Sequence, residues 1–246
     1  MKAMVFAAGL GTRLRPETEN KPKALVEVGG KPMLQHVIEH LKDAGVNSLV
    51  VNVHHFAEQI VEFLKANNNF GMEIHISNES DLLLDTGGGV VKAHEMLTDN
   101  SSVILHNADI LTDVNLRSLY EAHSKAANDV TLLVDANRNS SRQLLFCTDG
   151  RMHGWLNCKT GQTRPGKIDT EKMTKLSFNG IHVMSQHALQ QLVAYSTGTK
   201  PFSITDFYIE ACKELNIASY LMPSECQWFD IGSHEKLQNA RMTYRQ

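Results

Sequence analysis

Cysteine is scarce in this chain and widely spread. Its four residues, Cys147, Cys158, Cys212 and Cys226, form no C-x-x-C pair, and a chain of 246 residues is too large to need disulfide staples. They read as reduced thiols, which points to a cytoplasmic protein. Long apolar runs are missing as well. No stretch approaches the roughly 18 apolar residues of a membrane-crossing helix. The first apolar run is broken by Gly9, Gly11 and Arg13, leaving it too short for the apolar part of a secretion signal. Neither sign of charge dominates. A net charge of −3 leaves no polyanion footprint, so nucleic acid has no electrostatic support as a partner. Internal repeats and low-complexity tails are also absent. With 42% apolar and 21% charged residues, the chain has ordinary globular composition and can bury the core of one large α/β domain.

Strand and helix signals alternate along most of its length. Apolar runs at Ala3–Phe6, Leu49–Val53, Met72–Ile76, Val103–Leu105 and Val130–Val134 read as buried strands. Between them, Met33, Leu34, Val37, Ile38 and Leu41 recur at helical spacing, as do Phe56, Ile60, Val61 and Leu64. Gly87–Leu97 reads as a short helix, and Leu116, Leu119 and Tyr120 continue the alternation. This order predicts an α/β fold: a Rossmann-like, mixed but mostly parallel central sheet flanked by helices. Residues 144–175 differ. They are polar, glycine-rich and carry only short strand signals, so they read as a small β-rich insertion with a flexible loop near 157–170. A strand at Leu176–Met184, helices near Gln186–Tyr195 and Ile204–Leu215, a strand at Ala218–Met222 and a helix from His234 complete the reading.

The most informative segment is Ala7-Ala8-Gly9-Leu10-Gly11-Thr12-Arg13-Leu14-Arg15-Pro16, followed by Lys21-Pro22-Lys23. A glycine-rich turn directly after the first strand lets backbone approach a ligand, and its free N–H groups favour an anion. Arg13, Arg15 and Lys23 add fixed positive charge, as a triphosphate would require. Two familiar phosphate loops fail against it. No Gly-Lys-Ser/Thr follows Gly9 or Gly11, as a Walker loop needs. The dinucleotide fingerprint needs a third glycine where Leu14 stands and an acid where the second strand ends in His54-His55.

The segments Gly9-x-Gly11-Thr12-Arg13-Leu14-x-Pro16, Pro22-Lys23-x-Leu25 and Val28-Gly29-Gly30-Lys31-Pro32-Met33-Leu34 resemble the signature of the sugar-1-phosphate nucleotidyltransferases. Asp85-Thr86-Gly87-Gly88-Gly89, Asn107-Ala108-Asp109, Phe178-Asn179-Gly180-Ile181 and Trp228-Phe229-Asp230-Ile231-Gly232-Ser233 continue the likeness in the family's order along nearly the whole chain. The resemblance implies one nucleotidyltransferase domain over 1–246, with a nucleotide-binding half (about 1–140), a sugar-binding half (about 141–232) and a C-terminal helix (233–246). It also implies attack of a sugar 1-phosphate on the α-phosphorus of an NTP, releasing pyrophosphate. Both reactants are anions, and two unit charges 4 Å apart repel by about 4 kcal/mol at an effective dielectric of 20. The protein's task is therefore neutralisation and in-line positioning, and Mg²⁺, held by hard oxygen ligands, serves it well.

Asp109 and Asp230 are the metal candidates that the resemblance supplies. Read from residues alone, Asp109 is equally a turn aspartate, and Asp230, set in an apolar run, needs a cation or a solvent-lined cleft. Arg13 and Lys23 are the candidates for neutralising phosphates, and with the two aspartates form the expected catalytic set. Ala8, Gly9, Gly11, Thr12, Thr86, Gly87, Gly88 and Asn107 are expected on the nucleotide, with Gly87 or Gly88 reading the base edge through backbone groups. Asp85, Asn179, Gly180 and Asp206 are expected on the sugar, and Trp228 and Phe229 as core or cleft wall. One familiar element is missing. The family's Glu-Lys-Pro triplet is absent, because Glu171-Lys172 is followed by Met173. The short chain, the Asp-Thr-Gly-Gly-Gly segment and that loss favour N-acetylmuramate 1-phosphate with UTP, then mannose 1-phosphate or another hexose or heptose 1-phosphate with GTP. No membrane partner is expected, and oligomeric state stays open. A glycosyltransferase consuming nucleotide sugars, or a non-catalytic homologue that senses them, are the competing readings.

Overall fold

In the computed structural model, residues 1–198 and 200–244 are described. The chain opens with β1 (Lys2–Phe6), passes through the glycine loop and the two short strands β2 (Glu27–Val28) and β3 (Lys31–Pro32), and enters α1 (Met33–Asp43). β4 (Ser48–Val53), α2 (Ala57–Ala66), β5 (Glu73–Asn78), α3 (Asp85–Leu97) and β6 (Val103–Asn107) follow. Next come β7 (Ile110–Thr112), α4 (Leu116–Ala126), β8 (Val130–Asp135), β9 (Arg142–Phe146), β10 (Met152–Asn157) and β11 (Thr163–Arg164). The remainder is β12 (Thr174–Met184), α5 (Gln186–Tyr195), α6 (Ile204–Ala211), β13 (Ile217–Leu221), β14 (Trp228–Asp230) and α7 (His234–Thr243).

The expected strands and helices stand where the patterns place them, with two shifts. α3 begins at Asp85, ahead of the expected Gly87, and α6 stops at Ala211. The last two residues of the expected C-terminal helix lie outside the described residues.

β5, β4, β1 and β6 are parallel neighbours in that order. The long β12 then runs antiparallel to β6, β8 and β9, tying β8, β13 and the β9–β11 insertion into the same sheet. Strand periodicity assigns the faces. Ala3 and Val5, with Leu49, Val51 and Val53, pack on one side under α1, α2 and α4. Met4 and Val50, with Val103 and Leu105, pack on the other under α3, α5 and α6. On α1, Met33, Leu34, Val37, Ile38 and Leu41 are buried, one stripe at helical spacing. Asn115, Ser185, Ser203 and Ser233 cap α4, α5, α6 and α7 by accepting from backbone N–H groups of the first turn.

A third, smaller apolar cluster positions the site. Leu14, Val26, Val28 and Met33 pack against Leu111, Ile231, Leu237 and Ala240, locking the glycine-loop region onto β7, β14 and α7. β7 and β14 form a separate two-stranded ladder beyond the carboxyl edge of the main sheet. The chain moves outward from β1 to β4 and β5, then returns to place β6 on the other flank of β1. Open α/β sheets bind ligands at such a reversal, beyond the carboxyl ends of the strands. Among the described residues, no helix is long and apolar enough to cross a membrane.

Candidate active site

The loop after β1 is hung from its neighbours by a buried polar chain. The Ala7 N–H donates to Asn52 Oδ1 (2.7 Å), and Asn52 Nδ2 donates to Glu79 Oε1 (2.7 Å). Glu79 Oε2 accepts from the Leu84 N–H (3.0 Å), and the Glu79 side chain is fully buried. The loops after β1 and β5 are thereby fixed to each other through the end of β4. Sequence reasoning passed over Asn52 and Glu79, although an asparagine inside the apolar run Leu49–Val53 was a usable signal, since buried amides need partners.

Gly11 takes a left-handed backbone (φ 65°), and a Cβ there would stand 3.0 Å from Thr18 Cγ2 and 3.1 Å from Lys23 Cβ. Only glycine fits so tight a bend. It turns the chain into the short helical turn Thr12–Leu14 that presents Arg13. It also brings Lys23 beside the loop, where its ammonium pairs with Asp109.

Asp109 and Asp230 are brought side by side by backbone pairing. Asp230 faces Ile110 across the β7–β14 ladder, and the Ile231 N–H donates to Asp109 O (3.0 Å). Asp230 Oδ1 accepts from the Gly232 N–H (2.7 Å), and Oδ2 pairs with Lys236 Nζ (2.5 Å). A Cβ at Gly232 would lie 2.7 Å from Asp230 Oδ1 and 3.3 Å from Arg13 Nη2, so glycine there makes room for the carboxylate and the arginine. Burial by itself would raise the Asp230 carboxyl. The Lys236 hydrogen bond and charge, the Lys23 charge and the Gly232 N–H outweigh burial and hold it below the usual carboxylate range. Lys236, in the first turn of α7, carried no sequence signal of its own.

These residues fit a hard divalent cation. Two adjacent carboxylates with side chains 26% and 22% exposed can each hold positive charge, as their lysine partners demonstrate. No group of three or more metal-binding side chains occurs among the described residues. Mg²⁺ commonly takes one or two carboxylates and completes its shell with phosphate oxygens and water.

Two clefts open along this carboxyl edge. The larger, about 560 Å³, is lined by Ala8, Gly9, Gly11, Thr12, Lys23, Asn52 and Glu79. The smaller, about 300 Å³, is lined by Asn179, Gly180, Arg138, Phe178, Trp228 and Asp230. Phe6, Arg13, Asp85, Thr86, Asn107 and Asp109 line both and form a shared wall. Of the catalytic candidates, Arg13 and Asp109 stand in that wall, with Lys23 beside it in the larger cleft and Asp230 in the smaller.

Three of the expected residues lie outside the linings of both clefts. Gly87 and Gly88 line neither cleft; both are buried in the first turn of α3, and their N–H groups point at Phe202 O (2.9 and 3.4 Å). Their small size serves packing. A Cβ on Gly87 would strike the Phe202 ring at 2.3 Å, and one on Gly89 would meet Glu79 Oε1 at 2.9 Å. The N–H groups of Gly87 and Gly88 are thus engaged by Phe202 O inside the protein. Asp206 is the third. Its carboxylate pairs with Arg164 Nη1 (2.6 Å), joining α6 to β11, and it lines neither cleft.

The smaller cleft owes its shape to an irregularity in β12. Phe178 faces Val134 of β8, yet His182 faces Leu132, so three β12 residues stand opposite Leu133. Gly180 sits in this bulge at φ 78°, and a Cβ would collide with Asn107 Nδ2 at 2.8 Å. The bulge frees two successive carbonyls from the ladder. Phe178 O accepts from the Arg138 guanidinium, and Asn179 O accepts from Trp228 Nε1 (3.0 Å). Arg138 Cζ lies 4.3 Å above the Trp228 ring. Burial draws the Arg138 guanidinium below its ordinary pKa, with Asp135 and Asp230 opposing. Sequence reasoning missed Arg138, which follows a strand with no motif around it.

The chain belongs to a known family at this point. Residues 2–143 match the Nucleotidyl transferase family. It is 41% identical over 129 residues, 52% of its length, to an N-acetylmuramate alpha-1-phosphate uridylyltransferase of Caulobacter vibrioides. Over 99% of its length it is 30% identical to a mannose-1-phosphate guanyltransferase of Aspergillus oryzae. The chain spans 50% of the first relative and 64% of the second. Among solved structures, the fold matches a Bacillus anthracis protein described provisionally as a glucose-1-phosphate thymidylyltransferase, solved with sucrose. The match has a TM-score of 0.82 and 19% identity, over 98% of this chain and 94% of that one. HddC from Yersinia pseudotuberculosis complexed with GMP-PN matches with a TM-score of 0.73 and 20% identity, over 99% of each chain.

Proposed function

We propose that this protein joins an NTP to a sugar 1-phosphate, giving an NDP-sugar and pyrophosphate. One observation carries the reading: two clefts meet at a wall holding Arg13 and Asp109, with Lys23 and Asp230 alongside. The glycine loop beside the larger cleft suits the triphosphate. The smaller cleft, with Asn179 and Gly180, suits the sugar. Arg13 offers a planar fork for two phosphate oxygens and Lys23 a compact charge, so repulsion between the two anions is offset where they meet. Asp109 and Asp230 would hold Mg²⁺, which supplies Lewis-acid charge neutralisation. No side chain has to form a covalent intermediate, and ping-pong initial-velocity patterns would contradict this.

For the substrates, we propose N-acetylmuramate 1-phosphate with UTP first, on the 41% identity of the N-terminal half to an enzyme of that name. Mannose 1-phosphate with GTP comes second, on the likeness along the whole chain. On this reading the protein works in the cytoplasm. The test is a matrix of common NTPs against several sugar 1-phosphates, with and without Mg²⁺, scored by pyrophosphate. Release from one pair and not from NTP alone is expected. No release from any pair, together with transfer from a nucleotide sugar, would replace it with a glycosyltransferase.

A further inference from the structure

Arg138 is a cation that forms no ion pair among the described residues, although Asp85, Asp109 and Asp230 line the same cleft. Among the described residues its guanidinium makes one hydrogen bond, to Phe178 O, and its Nε is buried with no partner. Among the described residues no carboxylate comes within ion-pair distance of it, although Asp135 and Asp230 are near enough to influence its charge. Stacking on Trp228, itself tied to Asn179 O, keeps the guanidinium from turning away. A half-buried guanidinium held in place this way, with donors to spare, is a good receptor for a planar or tetrahedral oxyanion. The lysine of Glu171-Lys172-Met173 offers no substitute, since its side chain is 84% exposed, pairs with Asp169, and lines neither cleft.

Resting on the nucleotidyl-transfer reading above, we infer that Arg138 receives an oxyanion of the sugar substrate, either its 1-phosphate or a carboxylate carried on the ring. Its placement in the smaller cleft alone, away from the glycine loop, assigns it to the sugar and not to the NTP. The anion would complete the donor set that Phe178 O begins, and the Trp228 ring would form the floor.

The experiment titrates glucose 1-phosphate and N-acetylmuramate 1-phosphate calorimetrically into wild type, Arg138→Gln and Arg138→Lys, each with the preferred NTP's non-hydrolysable analogue bound. Arg138→Gln should weaken sugar binding roughly 10- to 100-fold, the range for losing a charged hydrogen bond, and leave the affinity for the analogue unchanged. Arg138→Lys, which keeps the charge and guards against a folding defect in the first variant, should fall between. Weakening with both sugars identifies the 1-phosphate as the anion; weakening with N-acetylmuramate 1-phosphate alone identifies the carboxylate. Unchanged affinity for both sugars in a folded Arg138→Gln protein overturns the inference, as does an equal loss of analogue and sugar affinity in Arg138→Lys. Failure of wild type to bind any sugar 1-phosphate would instead defeat the nucleotidyl-transfer reading.

Discussion

One wall of the larger cleft is the glycine loop, whose small residues Ala8, Gly9 and Gly11 present backbone and whose position is set by the Ala7–Asn52–Glu79 chain. The smaller cleft is walled by the large side chains Arg138, Phe178 and Trp228, held by carbonyls that a strand bulge releases. Backbone N–H groups are the same in any sequence, so a backbone wall suits a group common to many substrates, such as a triphosphate. A side-chain wall can change residue by residue and suits the group that varies. On the proposed function, substrate choice is therefore concentrated in the smaller cleft.

The comparison breaks first at the shared wall. Asp109→Asn and Asp230→Asn should each lower kcat by about 10³-fold, the several kcal/mol expected from losing metal-held charge stabilisation. Chelation of divalent ions should abolish turnover, and added Mg²⁺ should restore it. Steady-state kinetics on proteins of unchanged circular dichroism decides this; wild-type turnover in Asp109→Asn would mean the chemistry lies elsewhere.

A change on the larger-cleft side should then act on the NTP alone. Asn52→Ala strips partners from the Ala7 N–H and from the buried Glu79 carboxylate. Leaving such groups unsatisfied should destabilise the fold by about 2–4 kcal/mol. Urea unfolding reads the loss. Kinetics should show a raised KM for NTP with the sugar KM unmoved; a raised sugar KM alone would invert the proposed division of the clefts.

The same division governs what could be read from sequence. The glycine loop was legible because its geometry is local: Gly9, Gly11, Arg13 and Lys23 lie within fifteen residues and follow an obvious strand. The sheet was legible because alternating buried runs have a period. The smaller cleft was legible only in part: Asn179, Gly180 and Trp228 stood in recognisable segments, whereas Arg138 joins them only through a β12 bulge whose register no single segment encodes. The packing role of Gly87 was hidden for a related reason. A glycine needed for close packing against Phe202 looks in sequence like a glycine needed for a ligand.

A smaller effect tests the bulge itself. Gly180→Ala forces a side chain into a left-handed backbone and against Asn107 Nδ2. The strain should destabilise the protein by about 1–3 kcal/mol. Because Arg138 and Trp228 hang from the adjacent carbonyls, sugar KM should rise more than NTP KM. An equal rise in both would show that the bulge serves the shared wall and not the smaller cleft.

The smaller cleft, unlike the larger, is lined by a buried histidine, His182. Burial, the dominant cause in each case, lowers the pKa of His106 to about 3, of His182 to about 3 and of His123 to about 4. None of them stands on β1, β4 or β5; His106 is on β6, His123 on α4 and His182 on β12. His182 lines the smaller cleft, its ring 5.5 Å from Tyr208 and 5.4 Å from Phe178, and both its nitrogens lack partners among the described residues. The unfolded chain takes up protons at these positions below the ordinary value of 6.5, while the folded chain resists until pH 3 to 4. Stability from neutral histidines is therefore complete above pH 6.5 and declines as pH falls toward 4, by about 1.4 kcal/mol per pH unit for each fully neutral histidine. His182→Leu should remove one such increment from the slope measured by urea unfolding between pH 6 and pH 4. An unaltered slope would mean that His182 is protonated in the folded protein, and the smaller cleft would then hold a second buried cation beside Arg138.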